Sequence, residues 1–152
     1  MTSLRNLREG ELLATATYTA LTADTMLTFL STNTNDKQVI DLGDFDLDSI
    51  VIENDLTALA GTSTPTVNIT AVTSNAPVLT INSAGVLQGD ASTAFATANQ
   101  TATGVVMRGL AKQASTGATA NNLGKYFGVY FNAVSGTNTT GTGTVRVYIK
   151  GK

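Results

Sequence analysis

The chain has no histidine, no cysteine and no tryptophan. Without histidine it lacks the side chain most often used as a general base and as a metal ligand near neutral pH. A serine–histidine–aspartate triad is excluded outright, and the Gly-x-Ser-x-Gly elbow is absent as well. Without cysteine there is no disulfide framework, no thiolate metal site and no thiol nucleophile. Without tryptophan, and with aromatics at 6%, ring platforms for sugars are scarce.

Charge is sparse too. Charged residues make up 13% of the chain, with a net charge of −2, where an ordinary globular sequence has about 25%. There is no basic block, so the electrostatic footprint of a phosphate-backbone binder is missing and nucleic-acid binding is not expected. No apolar run approaches the roughly 20 residues that a membrane-spanning helix needs. Arg5 and Arg8 lie near the N-terminus, but Glu9 and Glu11 follow them in place of an apolar stretch. A cleavable secretory signal is therefore not expected. No membrane contact and no cofactor are expected either.

Hydroxyls and amides stand where the charges are missing. The 152 residues include 27 threonines. The β-branch of threonine favours strands, while glycine and asparagine favour turns, so the composition leans all-β. A surface of this kind stays wet yet repels neighbours weakly, which suits close packing against other subunits. The length fits one domain able to bury roughly 70% of the surface its unfolded chain exposes.

Along the chain, residues 1–13 hold a local concentration of charge and read either as a frayed terminus or as an N-terminal arm docked on a neighbouring subunit, with Leu4, Arg5, Leu7, Arg8 and Glu9 as partner-contacting candidates of the arm. Strand signals begin at Ala14. Runs at 14–20, 25–30, 37–42, 49–54, 66–72, 76–81 and 105–108 each read as a short strand. Residues 61–65, Gly-Thr-Ser-Thr-Pro, read as a turn. The Ala- and Thr-rich run 90–104 reads as a loop rather than a helix, because threonine is a poor helix former. The last 30 residues read as a β-hairpin: two apolar runs around a turn of Gly, Thr and Asn. In its second run Val145, Val147 and Ile149 alternate with Arg146, Tyr148 and Lys150, the mark of a strand with one buried face. In its first, Phe127, Val129 and Phe131 are assigned to the core. Tyr126, Gly128 and Tyr130 form a second face, either packed or partner-facing. Residues 59–69 echo residues 134–147, which composition alone accounts for.

Six carboxylates cluster between Asp41 and Asp55. Asp44, Asp46 and Asp48 share one face of an extended segment and are the weak metal candidates. Calcium takes six to eight oxygens, but the glycine and the bidentate glutamate of an EF-hand loop are missing. Paired carboxylates also serve glycoside hydrolysis, yet nothing in the sequence fixes their separation. The reading retained is a solvated acidic face, with no metal and no catalytic residue. Asn68-Ile69-Thr70, Asn99-Gln100-Thr101 and Asn138-Thr139-Thr140 match the glycosylation acceptor pattern, as chance predicts for a chain this rich in Asn and Thr.

The combination of Leu42-Gly43, the strand 50–52, the turn 61–66 and the ending 123–152 resembles the capsid decoration (cement) proteins and related small β-sandwich virion proteins of tailed bacteriophages. Many of these carry a tryptophan after the middle strand, which is absent here. Eight or nine short strands with frequent turn signals point to a β-sandwich or barrel, and the resemblance implies an antiparallel β-sandwich, jelly-roll-like, over residues 14–152. It implies a non-enzymatic protein, made in the host cytoplasm, that binds the outer surface of the major capsid protein shell as a homotrimer and reinforces it. Other readings are a tail tube, tail fibre or head-fibre component, and a carbohydrate- or cell-surface-binding β-sandwich module. A carboxylate-based hydrolase is the weakest.

Overall fold

The computed structural model describes residues 11–30, 38–42, 47–76, 80–82, 86–89, 91–111 and 125–151. Among these residues the fold is all-β, without helix. Seven strands form one antiparallel sheet: β1 (Glu11–Leu21), β2 (Thr25–Met26), β3 (Ile40–Asp41), β4 (Leu47–Ser74), β5 (Ser92–Ala96), β6 (Gly104–Ala111) and β7 (Tyr126–Gly151). β1 opens at Glu11, three residues before the expected start, and Leu13 is already buried.

Two strands dominate. β4 has 28 residues and β7 has 26, far beyond the usual five or six or so. They pair along their whole length, from Leu47↔Gly151 to Ser74↔Tyr126. The expected closing hairpin is therefore not a hairpin, since both of its runs lie on β4 in sequence. Likewise the segment 61–65 does not reverse the chain. The shorter strands add to this ribbon in two groups. Toward one end β1 lies on β7 and β6 on β4; toward the other β2 and β3 lie on β7 and β5 on β4. The Ala- and Thr-rich run expected to be a loop supplies β5, because tertiary pairing outweighs its weak intrinsic signal.

The ribbon kinks midway. Thr62 pairs with Thr137 and Thr66 with Ser135, so four steps along β4 oppose two along β7. The excess is absorbed by left-handed backbone at Ser63 (φ 58°) and Thr64 (φ 57°), faced across the ribbon by Gly136 (φ 100°) and Asn138 (φ 53°). Facing bulges of this kind bend a ribbon and increase its twist. Threonine hydroxyls take up the carbonyls: Thr139 Oγ1 donates to Ser135 O at 2.8 Å and Thr66 Oγ1 to Thr64 O at 3.1 Å. The turn parts of the two echoing segments face each other at the kink, while their strand parts pair elsewhere, Val67 with Ala133 and Val145 with Asn54.

Beyond the kink the two halves share one core. Ile50, Ile52, Leu56, Val145, Val147 and Ile149 come from the first half. Val67, Ile69, Phe127, Val129 and Phe131 come from the second, and all lie in the same cluster. Alternation explains the faces, since every second residue of 145–149 is buried while Arg146 and Tyr148 are half-exposed. A doubled-over sheet with a shared core is consistent with a β-sandwich. A smaller cluster covers the far side of the second half, where Met26, Val72 and Tyr130 pack under Val39, Ile81, Leu87 and Ala91. Tyr130 is thereby taken out of the partner-facing set.

Candidate functional site

Three places concentrate polar groups or exposed apolar surface. The first is a buried polar chain. Tyr18 on β1 donates its hydroxyl to Asn54 Oδ1 on β4 at 2.8 Å. Asn54 Nδ2 donates to Gln100 Oε1 at 2.7 Å, and Gln100 Nε2 to Gly104 O at 2.9 Å. Gln100 also exchanges two backbone hydrogen bonds with Val67 in the other half of the sheet. The chain therefore ties both halves together through the core. Burial pushes the Tyr18 hydroxyl up to about 12, with its Asn54 bond opposing the rise and Asp55 adding slightly to it. A phenol held neutral in this way is a hydrogen-bond donor, not a base. Gly143 makes room for it, since a Cβ there would lie 2.6 Å from the Tyr18 oxygen.

The second is an open cavity of about 220 Å³ lined by Asp24, Thr25, Met26, Gln38, Thr80 and Ile81. Its carboxylate already accepts the Ala133 N–H at 3.0 Å. The Thr25 hydroxyl is spent on Ala23 O at 2.8 Å. Among the described residues Asp24 is the one ionisable side chain in the lining.

The third is the outer face of the first half, across β1, β7, β4 and β6. Register puts three rows side by side: Leu12–Tyr148–Val51–Gly109, then Thr15–Arg146–Glu53–Met107, then Thr17–Thr144–Asp55–Val105. Leu12, Val105 and Met107 are 47%, 59% and 58% exposed. At the centre Arg146 Nη1 meets Glu53 Oε1 at 2.8 Å. Gly109 lets Val51 lean toward β6, where a Cβ would meet Val51 Cγ2 at 2.9 Å. On the second half the corresponding face is roofed by the chain's own small cluster; here large apolar side chains stand in solvent. Tyrosine, methionine and arginine around an ion pair are the residues that protein interfaces favour. The sequence reading missed this face, because its residues come from four separated segments. The signal available was the alternation on 145–150.

Several of the expected site residues fall elsewhere. Leu4, Arg5, Leu7, Arg8 and Glu9, and also Asp44 and Asp46, lie outside the described residues, and so does the side chain of Asp48, whose backbone belongs to β4. Glu53 is engaged by Arg146, and Asp41 lies 3.8 Å from Lys125. Among the described residues no three acidic side chains converge on a metal-sized space. Asn68, in one of the acceptor-pattern triplets, is buried and donates to Asn99 Oδ1 at 2.9 Å.

No family model, curated protein or solved structure matches this chain.

Proposed function

We propose that this chain is a non-enzymatic virion structural protein that binds the outside of an assembled tailed-bacteriophage capsid and reinforces it. The observation that carries the reading is the bare outer face of the first half, an interface-type surface on a domain whose buried polar side chains, Glu11 Oε2 apart, find partners within the chain. Tyr18, Asn54 and Gln100 bond in the core, and the threonines at the kink bond to backbone. Such groups hold a shape and leave contact with other proteins as the work of the surface. The ribbon fits the mechanical part of the role, because two strands paired over their whole length spread a load across many hydrogen bonds. The resemblance drawn from residues 42–66 and 123–152 supplies the virion context, and the major capsid protein shell is the partner.

The finer architecture belongs to the same proposal. We read the doubled-over sheet as a β-sandwich of jelly-roll type, in which a long antiparallel ribbon is folded over on itself.

The test is co-sedimentation with expanded capsids and, separately, with unassembled capsid subunits. Binding to shells with saturation at a fixed copy number, and none to free subunits, is expected. A protein that binds only to the assembled shell also stabilises it by mass action, so the melting temperature of the shell should rise. Absence of shell binding at saturating protein would refute the reading.

A further inference from the structure

We infer that the outer face of the first half pairs with the same face of a second copy, about a two-fold axis that runs along the strands between β4 and β7. The face is built in columns. β4 presents Glu53 and Asp55; β7, beside it, presents Arg146 and Lys150. β6 presents Val105 and Met107; β1, on the far side, presents Leu12, Thr15 and Thr17. Acidic and basic columns therefore lie side by side, with an apolar column outside the acidic one.

A two-fold axis between β4 and β7 exchanges these columns and keeps the height along the strands. The second copy's Glu53 then sits over Arg146, because the two residues are already register partners within one chain. The same operation lays the second copy's Met107 over Thr15 and its Val105 over Thr17. Tyr148 meets the second copy's Val51. Every contact is made twice, as an isologous interface requires. Two ion pairs already formed within the chains merge into one four-charge network, a better arrangement than an isolated surface pair. The exposed apolar side chains lose their water. An axis displaced by half a strand spacing, onto β4 or β7, lays that strand's charged column on its own copy and is disfavoured by charge.

The size of the face sets the strength. Four strands about 4.8 Å apart and eight steps of about 3.4 Å give roughly 500 Å² per copy. The total of roughly 1,000 Å² lies at the small end of specific interfaces, so the pair is concentration-dependent. Sheets packed face to face cross at about 30°, so the contacts nearest the axis, Glu53 with Arg146, matter most. The two-fold replaces the trimer that the resemblance implies. The dimer uses the face on which the shell-binding reading rests, so shell and second copy compete for it. Sedimentation velocity without shells reads the dimer, and co-sedimentation with shells reads shell binding, so the failure of one is distinguishable from the failure of the other.

Sedimentation velocity on the full chain, from about 1 to 500 µM, decides the matter. A monomer–dimer equilibrium that weakens with added salt is expected. Glu53→Lys alone and Arg146→Glu alone should each be monomeric, and an equimolar mixture of the two should recover a one-to-one dimer. Met107→Asp changes an exposed residue without touching the ion pair and should weaken the dimer at least tenfold, with an unchanged circular dichroism spectrum. A wild-type protein that stays monomeric or forms trimers would overturn the inference. So would variants that fail to reassociate when mixed, or a Met107→Asp protein that dimerises like the wild type.

Discussion

Replacing Tyr18 by Phe should cost stability at neutral pH and remove a loss that the native protein suffers at high pH. The substitution keeps the ring against Phe131, whose centroid is 5.2 Å away. It deletes the hydroxyl that Asn54 Oδ1 accepts at 2.8 Å. Asn54 is fully buried, so its orphaned oxygen should cost about 1–3 kcal/mol at pH 8. The pH dependence has a definite sign. The native hydroxyl titrates at about 12 against 10.0 when free. Below pH 10 both states hold the proton and its contribution is fully present. Between 10 and 12 the unfolded chain releases the proton while the native one keeps it, so native stability falls as pH rises. By pH 11 that loss should be about 1.4 kcal/mol. The gap between wild type and Tyr18→Phe, measured by urea unfolding at each pH, should therefore narrow from pH 8 to pH 11 by about that amount, because the Phe variant has no such proton. A constant or widening gap would refute the claim that Tyr18 is held neutral by burial.

Other outcomes follow from the same geometry. Asn54→Ala orphans both the Tyr18 donor and the Gln100 acceptor, so thermal or urea unfolding should show a larger loss than Tyr18→Phe, about 3–5 kcal/mol. At the kink, Gly136→Ala places a Cβ 2.5 Å from Thr139 Oγ1 and 2.7 Å from Pro65 Cα on backbone with φ 100°. It should lower stability by about 2 kcal/mol or more in the same assay. Phe131→Ala empties a site shared by both halves of the sheet and should cost about 3–5 kcal/mol. Glu11→Met replaces a carboxylate whose Oε2 is buried without a hydrogen-bond partner, and should leave the midpoint unchanged or raise it.

Period-2 alternation made the inward and outward faces of residues 145–150 legible, and the scarcity of charge together with the excess of threonine made the all-β class legible. Chain reversal was not legible. Glycine, asparagine and threonine at 61–66 and 135–140 signal that the backbone needs unusual φ values, and a hairpin turn and a strand bulge share that need. Only the partner tells them apart. In a hairpin Val145 would face the run just before it; here it faces Asn54, some ninety residues away. Local pattern carries no record of such a distance. The outer face of the first half was hidden for the same reason. Val105 and Met107 look like core in sequence, as apolar residues of a strand should. They are exposed because β6 meets β4 with Glu53 and Asp55 on the same side. A strand next to an acidic column cannot bury its apolar residues there without a complementary surface, and the chain's own basic column is the nearest match in charge.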